Sequence, residues 1–216
     1  MTTIATAGLS ALAGALALGL GATPASALYL NIDNISVSVG AGTSPGTFNN
    51  TFDDGQTIDK VINAPTAASQ ETHTQTTHIW YTPTNPGGGL ELIFDFGVSY
   101  DISMLHFWNY TSENYDVDQI AFTFFDAADQ VVGTETVGPA TGTEGGAGIQ
   151  AQDIALTAPL NVRSVAAFLT GSNGQVDFQN LGFTAEPSAS AVPLPATLPL
   201  AAGGLAALAW IARRRR

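Results

Sequence analysis

The sequence predicts an all-β protein built as an antiparallel sandwich of many short strands. Three observations lead there. Between residues 28 and 186 the apolar residues come in alternating or continuous runs of strand length, bounded by Gly, Asn, Asp and Thr. No stretch of that region carries a convincing helical apolar stripe. There is no cysteine among the 216 residues, so no disulfide, thiolate nucleophile or Cys-ligated metal is available and the domain must stand on its apolar core. About 160 residues are ample for such a core.

Taken in order, strands are expected near 30–39, 58–62, 77–82, 90–97, 102–110, 118–126, 130–137, 149–156, 162–169 and 175–184. In the run LELIFDFG, Leu90, Leu92, Phe94 and Phe96 fall on one face. A turn at Asp126 to Gln130 joins the strands on either side into a hairpin. Gly138 to Gly148 reads as a Gly/Thr loop, and Pro187 to Ala191 as a linker. The expected core is Leu92, Phe94, Phe96, Leu105, Phe107, Phe122, Phe124, Val165, Phe168 and Phe183.

Both ends differ from this domain. Residues 1–27 read as a secretory signal for the Sec export machinery, with an apolar segment from Leu9 to Ala22 and an A-x-A cleavage site at Ala25-Ser26-Ala27. No Lys or Arg precedes the apolar segment, which departs from the usual pattern. At the other end, residues 192–216 have three parts. Val192, Pro193, Leu194, Pro195 and Ala196 form a proline-stiffened, extended pentapeptide. An uncharged run from Thr197 to Ala212 follows, with Trp210 near its end. As a helix it would span roughly 24 Å, a little less than a bilayer's hydrocarbon core of about 30 Å. Arg213, Arg214, Arg215 and Arg216 would hold the C-terminus on the cytoplasmic side.

This tail resembles the PEP-CTERM class of bacterial sorting signals, in its variant with a Val-Pro-Leu-Pro-Ala motif. The resemblance implies recognition by exosortase, an integral-membrane cysteine transpeptidase, and cleavage at or near the motif. The inner membrane would then be a transient anchor, and the destination the envelope or extracellular polysaccharide matrix of a Gram-negative bacterium.

Charge narrows the partners. Eighteen acidic residues, all between Asp33 and Glu186, face only Lys60 and Arg163 once the tail arginines are set aside. Such a surface repels nucleic acid and anionic headgroups. It suits high salt, divalent cations or neutral glycans, and simple solubility in brackish or marine water also accounts for it.

The middle of the chain carries a second resemblance. Asp95-Phe96-Gly97 ends one expected strand and Trp108-Asn109-Tyr110 the next. Asp54-Gly55, Ile79-Trp80, the hairpin at Asp118 to Val132, Val162-Arg163-Ser164-Val165 and Phe178 to Phe183 follow the order of pieces in discoidin-like domains, also called coagulation-factor type C domains. Three features depart from that pattern: no cysteine pair closes the sandwich, Asn180 stands where a Glu is usual, and residues 63–76 look like an insertion. The resemblance implies a galactose-binding-like jelly roll. It also implies non-catalytic recognition of glycans or other surface ligands through the loops at one end.

Candidate sites follow. Asp53 and Asp54 before Gly55 can supply part of the six to eight oxygen ligands of Ca²⁺. The resemblance implies a structural Ca²⁺ at this turn, with Asn180 or Glu186 replacing the closing-strand carboxylate. An ion-free Asp-rich turn is the alternative, and Asp116 and Asp118 read as a solvated strand start. His73 and His78 read as exposed loop residues, and with His106 they match no zinc spacing. No nucleophile elbow or phosphate loop occurs, and no two carboxylates are marked as a glycosidase pair. Aromatic residues near strand ends are the remaining signal: Trp80, Tyr81, Tyr110 and Tyr115, with Asn109, Glu113 and Asn114. Rings stack on sugar C–H faces while amides bind hydroxyls, although period-2 alternation also allows Trp108 and Tyr110 to be core. Three classes stay open: a glycan-binding module, a structural matrix or adhesion protein without a defined ligand, and a glycan hydrolase.

Overall fold

The structure, a computed structural model, describes residues 26–49, 58–72 and 78–188. The strands are β1 (Leu28–Leu30), β2 (Ser36–Val39), β3 (Gly46–Phe48), β4 (Gln70–Glu71), β5 (Ile79–Pro83), β6 (Leu90–Asn109), β7 (Gln119–Phe125), β8 (Val131–Val137), β9 (Glu144–Gly145), β10 (Gly148–Gln150), β11 (Gln152–Ala155), β12 (Val162–Thr170) and β13 (Val176–Pro187). Every ladder between these strands is antiparallel. The all-β sandwich expected from the sequence is what forms. Among the described residues, no helix is long and apolar enough to cross a membrane.

The 20-residue β6 organises the two layers. Its first half lies between β2 and β12, and beyond β12 come β7 and β8. Its second half lies between β11 and β13, and β13 carries β1 and β5 on its far edge. The strand passes from one layer to the other at Gly97, whose φ of 72° a residue with a Cβ rarely adopts. Two strands expected near 90–97 and 102–110 are therefore one continuous strand with a bend. Phe94 and Phe96 on the first half meet Phe183 on β13 edge-on, with centroids 5.4 and 5.6 Å apart. These contacts join the two layers.

The alternation read in LELIFDFG holds, with Leu90, Leu92, Phe94 and Phe96 buried between less covered neighbours. Phe168 differs from expectation and is only half-buried. On β12 the inward positions are Val165, Ala167 and Leu169, so Phe168 falls on the opposite face. Residues Ile58–Ile62 form a 3₁₀ helix rather than a strand. Val61 and Ile62 are both fully buried, and both reach the core from one turn of this helix. The expected 30–39 strand is broken after Leu30 by a turn in which the Asn31 N–H donates to Asn34 Oδ1 at 2.8 Å. The expected 149–156 strand is likewise divided into β10 and β11. The Gly/Thr loop at 138–148 contains the short β9, which pairs with β10.

A smaller apolar cluster of Ala64, Trp108 and Ile149 covers the outer face of the second layer. Trp108 is fully buried there, and its indole N–H donates to Ser69 O at 2.9 Å.

Candidate functional site

One end of the sandwich gathers the β6–β7 loop (110–118), the β8–β9 segment (138–143), the β12–β13 turn (171–175) and the start of β5. The organising residue is Asn109, the last of β6, which has no exposed surface. Its amide nitrogen donates to Val117 O and Ala140 O, both at 2.9 Å. Its Oδ1 accepts from Tyr110 N at 3.0 Å and Val117 N at 2.9 Å. One side chain thus closes the β6–β7 loop and fastens the 138–143 segment to it. Gly142 completes the fastening by donating to Tyr110 O at 2.7 Å. A Cβ at Gly142 would collide with the Asn109 and Tyr110 carbonyls, so the approach requires glycine.

Because Asn109 grips both backbone groups of Val117, that residue's side chain enters the core, fully buried. Its neighbours Asp116 and Asp118 are set by this anchor. Asp116 is 2% exposed, and Asp118 Oδ2 accepts from the Ser172 N–H. Glu113 reaches back from the loop crest and accepts from Thr141 Oγ1 at 2.5 Å. Asn173 donates to Glu113 O at 2.9 Å, tying the β12–β13 turn to the same loop. Beneath lies Asp177, 3% exposed, whose backbone bridges Asp116. Its Oδ1 is 3.6 Å from His78 Nε2.

Burial dominates the electrostatics. It pushes Asp177 up to about 8. His78 Nε2, 3.6 Å from its Oδ1, lies beyond hydrogen-bond reach. Asp116 is also raised, first by burial and then by Asp118 and Glu113. Burial raises Tyr110 too, reinforced by Asp177, Tyr115 and Glu144.

The rings form the outer part of this end. Tyr110 stacks over His78, with centroids 6.4 Å apart and planes 14° off parallel. Tyr115, 40% exposed, lies against Tyr110 at 6.1 Å. Trp80 is half-buried, and its indole donates to Gln175 Oε1 at 2.7 Å. Asn114 is exposed on the loop crest. Beside them an open cleft of about 370 Å³ runs between Pro83–Gly87 and Ser172–Gly174.

The structure therefore brings together four of the residues expected to touch a glycan, Trp80, Tyr110, Asn114 and Tyr115. Two others do not face the surface there. Tyr81 faces inward, 2% exposed, with its hydroxyl donating to Ser44 O. Asn109 has all its hydrogen-bonding capacity used inside the fold. His78 is 1% exposed and not a surface loop residue, because stacking by Tyr110 covers it. Asp116 is not solvated as its sequence context suggests.

Asn180 is also fully buried. Its Oδ1 accepts from Leu181 N at 3.0 Å and Ala64 N at 3.3 Å, and its nitrogen donates to Asn63 Oδ1 at 2.7 Å and Lys60 O at 3.1 Å. These bonds are those of a strut tying the closing strand to 60–64, and they use the oxygen that a cation would need. Asp53 and Asp54 lie outside the described residues, as do His73, Ala25 and all of 189–216, which holds the pentapeptide and the arginines. Ala27 is described and exposed.

On the outer face of the second layer, His106 Nδ1 contacts Asp153 Oδ1 at 2.6 Å and Nε2 contacts Thr184 Oγ1 at 2.7 Å. The spacing is that of a base between an orienting acid and a hydroxyl. Tyr29 packs its ring edge on the imidazole at 5.5 Å, and the histidine is 5% exposed. The row cross-links β11, β6 and β13 with both imidazole nitrogens occupied.

No family model matches the sequence, and no curated protein matches it either. Solved structures do resemble the fold. The F5/8 type C domain of a Bacteroides fragilis protein superposes with a TM-score of 0.50 at 12% identity, covering 74% of this chain and 96% of that domain. A SusE-like protein gives 0.51 at 15% identity, covering 76% of this chain and 69% of that one. The family 32 CBM from C. perfringens NanJ, solved in complex with galactose, gives 0.44 at 11% identity over 74% and 99%. At these identities what is shared is the discoidin-like jelly roll.

Proposed function

We propose that this chain is an exported surface or matrix protein whose jelly roll binds extracellular polysaccharide without catalysing its cleavage. The observation that carries the reading is the composition of one end of the sandwich. Tyr110, Tyr115 and Trp80 lie there with the exposed amide of Asn114, beside an open cleft that Asn85 and Asn173 line. Rings offer faces to sugar C–H bonds, and amides offer donors and acceptors to hydroxyls. The acidic excess favours neutral sugars over anionic ones. The discoidin-like fold supports the reading by placing these loops at the open end of a rigid scaffold.

Delivery is the second part of the proposal. Cleavage after Ala27 would release the exported form beginning at Leu28. The pentapeptide Val192–Ala196 would present the precursor to exosortase while the apolar run and Arg213–Arg216 hold it in the inner membrane.

Affinity electrophoresis of the full-length protein against a panel of neutral polysaccharides tests the binding reading. At least one polysaccharide is expected to retard the wild type. Tyr115→Ala and Tyr110→Ala are each expected to weaken that affinity about tenfold or more, as loss of an aromatic anchor worth ~1–2 kcal/mol does. Retardation equal in wild type and both variants would place binding elsewhere. No retardation across the panel would favour a matrix protein without a defined ligand.

A further inference from the structure

The β6–β7 loop carries a feature that stacking on a sugar does not require. Glu113, Asp116 and Asp118 each offer a carboxylate oxygen, and these oxygens all lie within 4.8 Å of one another. The arrangement is built in. Asn109 fixes Val117 through both backbone groups, and Val117 anchors the acids on either side of it. The Ser172 N–H and Thr141 Oγ1 then orient Asp118 and Glu113.

Among the described residues, no Lys or Arg ion-pairs with this cluster. Among the described residues the only Lys and Arg are Lys60 and Arg163. Arg163 pairs with Asp95, and among the described residues no ion pair involves any of the three acids. A second observation points to a ligand. Asp116 is 98% buried by its 2% exposure, yet its Oδ1 has no hydrogen-bond donor. A buried carboxylate oxygen without a donor is costly. A cation held between it and its two neighbours removes that cost and their mutual repulsion together.

The donor set is oxygen only, with no His or Cys, which selects a hard cation. Oxygens bound to one Ca²⁺ can be about 4.6–5.2 Å apart, twice the metal–oxygen distance; for Mg²⁺ the limit is about 4.0–4.2 Å. The separations here, none above 4.8 Å, are compatible with one shared Ca²⁺. We propose that Glu113, Asp116 and Asp118 bind a divalent cation of the calcium class beneath the Tyr110–Tyr115 surface. Water and oxygens of the same loop complete its coordination. The site is separate from the Asp53–Asp54 turn and does not depend on the sugar reading, since the cation can be measured with no glycan present.

Isothermal titration of the full-length protein with CaCl₂ tests this, alongside Asp53→Asn/Asp54→Asn and Glu113→Gln/Asp118→Asn. The expected Kd is on the order of 10⁻⁴–10⁻³ M, the range of extracellular calcium modules. Binding at this site should persist in the Asp53/Asp54 variant. It should weaken about 100-fold or more in the Glu113/Asp118 variant, with an unchanged β-sheet circular dichroism spectrum. Should the double variant not fold, Asp118→Asn alone, at a half-buried position, carries the same expectation. A wild type that takes up no calcium would overturn the proposal. So would a Glu113/Asp118 variant, or a lone Asp118 variant, that binds as the wild type does.

Discussion

Asn109→Ala separates two roles for a residue that a sequence reader would place in the sugar site. If Asn109 touched the ligand, the change would cost affinity and leave the fold intact. In the structure its amide serves four backbone groups. The two bonds to Val117 N and Val117 O are buried, and those to Ala140 O and Tyr110 N are partly covered. Water can replace the partly covered pair after truncation. The Val117 groups have no such route, and each unsatisfied buried group costs about 1–3 kcal/mol. The expected loss is therefore ~2–6 kcal/mol, a large share of the roughly 5–15 kcal/mol by which a domain is stable. Equilibrium urea unfolding followed by circular dichroism measures it, with the slope m unchanged if only the native state is affected. A loss below about 1 kcal/mol would refute the role of Asn109 as the clamp of this end.

Phe94→Ala should cost ~3–5 kcal/mol in the same assay, because the ring is fully buried and joins the two layers through Phe183; a loss under about 1 kcal/mol would contradict the layer contact. Asp177 gives a pH signature. Its folded pKa, about 8, lies above its ordinary 3.8, so the folded state holds a proton that the unfolded chain has released. Its contribution is fully present below the unfolded value and is lost as pH rises towards 8. Asp177→Asn should flatten the fall in stability across that window, seen as urea midpoints nearer to one another at pH 5 and pH 7.5 than in the wild type; an unchanged difference would count against the burial argument. For delivery, replacing both Pro193 and Pro195 with Ala should leave membrane insertion intact and strand the full-length precursor in the inner membrane of a host that carries exosortase. Equal processing of wild type and variant, seen by immunoblot, would reduce the segment to a plain tail anchor.

Much of the fold was legible because alternation is a direct imprint of the pleat. Leu90 to Phe96 and Ile120 to Phe124 show their inward faces in the sequence, and both are buried as read. Phe168 misled because β12 is covered on more than one face, so Ala166 is buried as well as Ala167 and parity cannot be read from size. The 58–62 segment misled because two adjacent buried residues resemble a continuous apolar strand. At the site, the aromatic residues announced themselves by type. Asn109 did not, since a buried clamp and a sugar-binding amide are the same residue in a sequence. The carboxylate cluster was hidden for another reason. Glu113 meets Asp116 and Asp118 only after Asn109 folds the loop over Val117, a long way from any motif spacing.

Ligand is expected to meet the protein at the Asn109-clamped end. Amide chemical-shift mapping of ¹⁵N-labelled protein, titrated with oligosaccharides from a polysaccharide that it binds, tests this most directly. The largest shifts are expected in 110–118, 140–143 and 171–175, with Trp80 Nε1–H among them through its bond to Gln175. Shifts centred instead on Ala67–Gln70 and Gln150–Asp153, the open hollow on the outer face of the second layer, would contradict it.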